Sequence, residues 1–307
     1  MNIVINALFP VLAIILTGIL LKKTGLLDKH FFASSDRFVY YVLFPVLLFW
    51  KIGAAPLVLG SEWHYLAASG CSYISTFAIS LFLIKALKIA PFQAGSFNQS
   101  CYRFNTYMGM AVVINLFGEK GVQLFAVLIG LIIPFVNSTA VAVLVWFNQE
   151  NTEQNQLAAT LKTLVKNPLI IASVAGLVYA HFLGGYPVYV TNTLELLSTT
   201  TLPLALLSIG GALSFHLVRN NLLLSLLGAM VKLVVLPCIG LVFLFLFSVT
   251  GLAWKVSVLF YSLPASTAIY VLSSQLHADT ELASASVVVS TCCSFVTMSV
   301  IIMLIMR

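Results

Sequence analysis

Apolar positions come in long runs, each near the roughly 20 residues that a helix needs to cross a bilayer, with short polar punctuation between them. Ten runs are read: about 3–21, 38–52, 65–86, 93–117, 122–147, 169–183, 190–213, 222–249, 252–276 and 282–306. The expected fold class is therefore an all-α membrane protein of ten transmembrane helices. One stretch, 148–166, is clearly hydrophilic and too short for a domain. The expected organisation is a first five-span repeat over 1–147, a cytoplasmic linker over 148–166 and a second five-span repeat over 167–307. The first run has no basic residue before it, so it reads as a span rather than a cleaved signal peptide.

Two runs break the apolar pattern. The fourth contains FNQSCYRFNTYMGMAVVINLFG, residues 97–118, with Asn98, Gln99, Arg103, Asn105, Thr106 and Gly109 in its first half. Polar groups at membrane depth must be satisfied inside the protein or face a wet cavity. The fourth span is therefore expected to be discontinuous, broken near Arg103 to Thr106 at a solute site, an arrangement common in secondary transporters. The ninth run carries Ser262, Pro264, Ser266, Thr267 and Tyr270. Proline removes a backbone hydrogen bond and frees a carbonyl. Pro264 reads either as a plain kink satisfied by neighbouring hydroxyls or as a second break. Two breaks crossing at mid-membrane would aim partly positive half-helix N-termini at one point, which favours an anion.

A shift of 158 residues pairs these two runs. It sets Pro10 on Pro168, Gly18 on Gly176, Pro45 on Pro203, Gly53 on Gly211 and Gly70 on Gly228, and it sets Thr106 on Pro264. Five spans per repeat is an odd number, so the halves are expected to be inverted relative to each other. The cations agree with one orientation. Lys22, Lys23, Lys29, Arg37, Lys85, Lys88, Lys162, Lys166 and Arg219 fall on one side, against Lys51, Lys120, Lys255 and Arg307 on the other. The positive-inside rule then places both termini outside, in the periplasm, and the linker inside.

Arg103 and Lys232 are the cations left within spans. The planar fork of Arg103 suits a carboxylate; its bland alternatives are snorkelling, or a structural pair with a carboxylate such as Glu119. Lys232 either stands in for a bound cation beside freed carbonyls or snorkels to the cytoplasmic side. Asn105 and Thr106, beside the break, read as ligands, together with Ser266 and Thr267. Asn137 and Tyr270 are candidates that read first as interhelical glue. The carboxylates map to loops or span ends, so no mid-membrane Asp or Glu is expected to carry a proton or an anionic sodium site.

Composition adds exclusions. The chain of 307 residues is 61% hydrophobic and 8% charged, with a mean hydropathy of +1.06, whereas soluble domains carry roughly a quarter charged residues. The net charge of +6 comes from cations flanking apolar runs, which points away from nucleic acid. Cys71, Cys101, Cys238, Cys292 and Cys293 lie in apolar segments at no metal or redox spacing. No metal, cofactor or catalytic motif is read, and an enzyme is not expected.

The runs RFNTYMGMAVVINLFGEKG (103–121) and SLPASTAIYVLSSQL (262–276) resemble the fourth and ninth spans of the auxin efflux carrier family of permeases, in its bacterial, malonate-transporter-like branch. The resemblance implies two inverted repeats with spans four and nine broken and crossing. It also implies a scaffold of spans one, two, six and seven, a mobile unit of the others, and a dimer through the scaffold. The implied activity is elevator-like alternating access for a small organic anion, a carboxylate or dicarboxylate such as malonate, across a bacterial inner membrane; the residues leave the coupling ion open between a proton, sodium and neither. Plant members have proline at both breaks; here Asn105-Thr106 stands at the first, a departure that bears on an indole-acetate substrate. Two other readings are carried: a sodium-coupled symporter of a larger amphipathic anion, on the bile-acid carrier plan, and a membrane sensor that binds without transporting.

Overall fold

Long apolar runs with few helix breakers fold as helices because a bilayer leaves no other partner for backbone polar groups. The computed structural model describes residues 2–54, 63–147, 168–183, 185–212 and 218–306, and the expected linker lies outside them. Among the described residues there is no strand. The helices are α1 (Asn2–Lys23), α2 (Lys29–Phe38), α3 (Phe44–Gly53), α4 (Trp63–Ala86), α5 (Pro91–Tyr102), α6 (Thr106–Phe147), α7 (Pro168–Phe182), α8 (Val188–Ala212), α9 (Val218–Met230), α10 (Leu236–Leu246), α11 (Gly251–Tyr261), α12 (Ala268–Gln275) and α13 (Thr280–Ile305). Single π-turns, Val39–Leu43 and Val231–Val235, join α2 to α3 and α9 to α10.

Among the described residues, seven helical stretches are long and apolar enough to cross a membrane, so this is an integral membrane protein. Seven differs from the ten expected for local reasons. The fourth and fifth runs are counted as one stretch, Pro91–Phe147, which turns at Gly118. Gly118 has φ 59°, a left-handed value open to glycine at little cost. The sixth run is a helix of 15 residues. The ninth is split into α11 and α12, each too short to span alone.

One boundary is corrected. The second span was expected to begin near residue 38, with Asp36 and Arg37 in a loop. The helix instead starts at Lys29, and the apolar stretch runs from His30 to Gly53. Asp28 caps it by accepting the Phe31 N–H at 2.8 Å, which brings Asp36 into the helix.

Contacts divide the chain into two compact units. The first comprises Met1–Trp63, Tyr107–Ile133 and Val165–Ala212; the second comprises His64–Thr106, Pro134–Leu164 and Leu213–Arg307. Each draws on both halves of the sequence. The first holds the spans that the resemblance assigns to a scaffold, with Tyr107–Ile133 added.

Backbone-to-backbone packing builds the first unit. A Cβ on Gly18 of α1 would overlap the Leu207 carbonyl of α8, and one on Gly210 would overlap the Ile15 carbonyl. Between α7 and α3, a Cβ on Gly176 would crowd the Phe49 carbonyl and Ile52. Moving 158 residues along the sequence takes Gly18 to Gly176, and the same step back takes Leu207 to Phe49 and Gly210 to Ile52. The two helix pairs thus use the same contact at equivalent positions. Small residues that let helices approach closely are the usual means of association where lipid offers no hydrophobic drive.

Candidate functional site

All nine residues singled out from sequence lie in the second unit: Arg103, Asn105, Thr106, Asn137, Lys232, Pro264, Ser266, Thr267 and Tyr270. The fourth span opens where expected. α5 ends at Tyr102, residues 103–105 are extended or irregular, and α6 begins at Thr106. In the ninth span α11 ends at Tyr261 and α12 starts at Ala268. The Asn105 N–H donates to the Pro264 carbonyl at 2.8 Å. The two breaks therefore meet, and each satisfies a backbone group that the other has lost from its helix.

The span-nine break is also held at one further point from outside its own span. The Ala265 N–H donates to Ser290 Oγ of α13 at 3.1 Å. Ser266 Oγ accepts the Ala268 N–H at 3.3 Å, a local turn just ahead of α12. Pro264 is buried, whereas Thr106, Ser266 and Thr267 are partly exposed. Tyr270 is 49% exposed, which is not the position of a residue binding helices together.

Arg103 is 8% exposed. Its Nη1 donates to Gln99 Oε1 at 2.8 Å, and its Nη2 donates to Asn137 Oδ1 at 2.9 Å. The guanidinium therefore lies along the C-terminal turn of α5, where the helix end carries partial negative charge. Asn137, on α6, accepts the second of these bonds. Glu119, weighed from sequence as a partner for Arg103, accepts from Lys51 Nζ at 2.7 and 2.9 Å in the first unit.

Lys232 does not snorkel. It sits in the second π-turn at 0% exposure, and its Nζ donates to the Tyr261 carbonyl at 2.9 Å. A fully buried ammonium carries a desolvation cost of several kcal/mol, which the negative end of α11 at that carbonyl would offset in part.

Sequence reasoning missed the supporting polar layer. Ser96 bridges α5 to Ser273 Oγ of α12 at 2.9 Å and to the Asp279 carbonyl at 2.7 Å. Asn98 joins Ser80 and Tyr102 at 2.7 and 2.9 Å. At the breaks Phe104 packs edge-to-face on Tyr73 and on Phe260, with centroids 5.7 and 4.5 Å away, and Tyr73 lies tilted against Phe260. The signal available was a scatter of Ser and Asn in apolar runs, but which of them meet depends on how the helices cross.

A membrane-embedded helical chain with two interlocked helix breaks belongs to the class of solute transporters. Comparison with known proteins agrees. The family model described as "Membrane transport protein" matches residues 3–302, so the chain belongs to that family, the auxin efflux carrier family that the two motifs resemble. An uncharacterized transporter of Methanocaldococcus jannaschii is 21% identical over 294 residues, covering 92% of each chain. An uncharacterized transporter of Methanothermobacter thermautotrophicus is 23% identical over 297 residues, covering 95% of each.

Proposed function

We propose that this protein is a secondary carrier of a small organic anion, a carboxylate or dicarboxylate such as malonate, working by elevator-like alternating access in a bacterial inner membrane. The observation that carries the reading is the Asn105–Pro264 hydrogen bond, which joins the two helix breaks. α6 and α12 begin beside this crossing, and the positive ends of their dipoles favour a carboxylate. Arg103 supplies the net positive charge, with Asn105, Thr106, Ser266 and Thr267 as neutral donors around it. The matched contacts Gly18–Leu207 and Gly176–Phe49 support a plan of ten spans in two inverted repeats. Both termini then lie in the periplasm, and the second unit, which holds the site, is the part that moves; the first unit would serve as scaffold and dimer interface.

The test is uptake of radiolabelled malonate, with malate and acetate beside it, into proteoliposomes holding wild type or Arg103→Ala, with and without a pH or sodium gradient. Saturable uptake by wild type that is lost in the folded variant is the expected result. Equal uptake by the variant would make Arg103 structural and move the site. Sodium-dependent uptake would favour the bile-acid-carrier plan, and binding without flux would favour a sensor.

A further inference from the structure

The first half of the ninth span ends in a carbonyl that its own helix does not satisfy. The Phe260 carbonyl still accepts the Leu263 N–H at the helix end, but in an unbroken helix the Tyr261 carbonyl would accept from residue 265. The Ala265 N–H is taken by Ser290 Oγ. The Tyr261 carbonyl thus lacks its helical donor at the end of an aligned helix, where the macrodipole amounts to roughly half a negative charge. Unwound carbonyls and half-helix C-termini of this kind are where secondary transporters coordinate a sodium ion.

Here the position already holds a lysine amine. Lys232 Nζ donates to the Tyr261 carbonyl at 2.9 Å from a side chain at 0% exposure. Among the described residues that is its one hydrogen bond, and no carboxylate pairs with it. Two further features fix the geometry. Lys232 lies in the π-turn Val231–Val235, a local widening often found at functional sites. Tyr261 is held by its hydroxyl, 2.8 Å from Ser69 Oγ, and by its ring, which packs on Gly240 so closely that a Cβ there would overlap it. The carbonyl therefore has little freedom to turn towards any other donor.

We propose that Lys232 is a tethered cation that fills a monovalent-cation position at the C-terminal end of α11, so that this carrier has no free sodium ion at that point. Removing the ammonium while leaving space opens a vacant site that an external sodium or small alkylammonium ion occupies. The consequence for transport, sodium-independent uptake, rests on the carrier reading above; occupancy of the site does not.

The experiment is thermal melting of the purified protein in detergent, in sodium chloride, ethylammonium chloride and choline chloride at equal ionic strength. Wild type is expected to melt at one temperature in all three. Lys232→Ala is expected to melt lower in choline and to recover by about 5 °C or more in ethylammonium or sodium. Lys232→Met fills the space without charge and is expected to stay destabilised in every salt. A wild type stabilised by sodium over choline would overturn the proposal, as would a Lys232→Ala protein indifferent to the cation or a Lys232→Met protein that melts like wild type. If Lys232→Ala is monodisperse only when extracted in ethylammonium or sodium, that is the same cation requirement; if it aggregates in all three salts, cation binding at this position is refuted. Failure of anion uptake in wild type would count against the carrier reading alone, because the melting results do not depend on it.

Discussion

The N–H of Asn105 and the carbonyl of Pro264 lie 2.8 Å apart, although 159 positions separate them in the chain. Each sits where a helix has been interrupted, so the bond replaces within the protein what each helix gave up. An interrupted helix at membrane depth is otherwise costly, since each unsatisfied group there costs several kcal/mol.

That interlock makes Ser290 a support residue, because its hydroxyl accepts the next N–H in the break, that of Ala265. Ser290→Ala leaves a buried N–H unpaired and is expected to cost about 1 to 3 kcal/mol. Melting in detergent measures it. Ser294→Ala, which removes only a bond back to its own helix at Thr291, is the control and should cost less. Equal melting temperatures for the two variants would mean that the break is held without Ser290.

Arg103 spans two acceptors, Gln99 and Asn137, with separate nitrogens. Lysine keeps the charge but cannot hold both in the same fork. Arg103→Lys is therefore expected to fold and to lose uptake by about tenfold or more, since a charge-assisted hydrogen bond contributes about 1.5 to 3 kcal/mol. Initial uptake rates in proteoliposomes, normalised to monodisperse protein, are the readout; rates within twofold of wild type would show that only charge matters.

The glycines divide by what surrounds them. Gly18→Ala and Gly210→Ala put a methyl group into a backbone carbonyl of the facing helix and should destabilise by about 1 to 3 kcal/mol through overpacking. Gly70 has no atom within 4 Å of a built Cβ, so Gly70→Ala should be neutral or stabilising by up to about 1 kcal/mol, the helix preference for alanine. Melting of the three single variants tests the contrast, which fails if Gly70→Ala is the worst of them.

The ion pair of Lys51 with Glu119 is short, at 2.7 Å, but the Glu119 side chain is 62% exposed. Exposed pairs contribute little because water and salt screen them. Glu119→Gln is expected to lower stability by less than about 1 kcal/mol, and less still at high salt. Lys51 keeps its place over the Trp50 ring, 3.8 Å from its centroid. A larger loss on melting would mean that the pair is effectively buried.

Much of this protein was legible in the sequence for a simple reason. A bilayer forces apolar helical runs, so anything else in such a run stands out. Arg103 to Thr106 and Pro264 stood out, and the breaks lie there, at 103–105 and 262–267. Repeat glycines were visible too, since Gly18 and Gly176 recur at one spacing. What sequence could not give was pairing in space. Nothing local distinguished Lys232 snorkelling to a surface from Lys232 buried on the Tyr261 carbonyl, because a long flexible stem reaches either way. Nor could it say that Glu119 is held by Lys51, that Ser290 satisfies the break, or that the second span starts early at the Asp28 cap. Those outcomes depend on which helix faces carry the few polar groups and on how the helices cross. The apolar pattern by itself determined that the chain enters a membrane and where its helices fail; only the tertiary packing decided which partners make those failures tolerable.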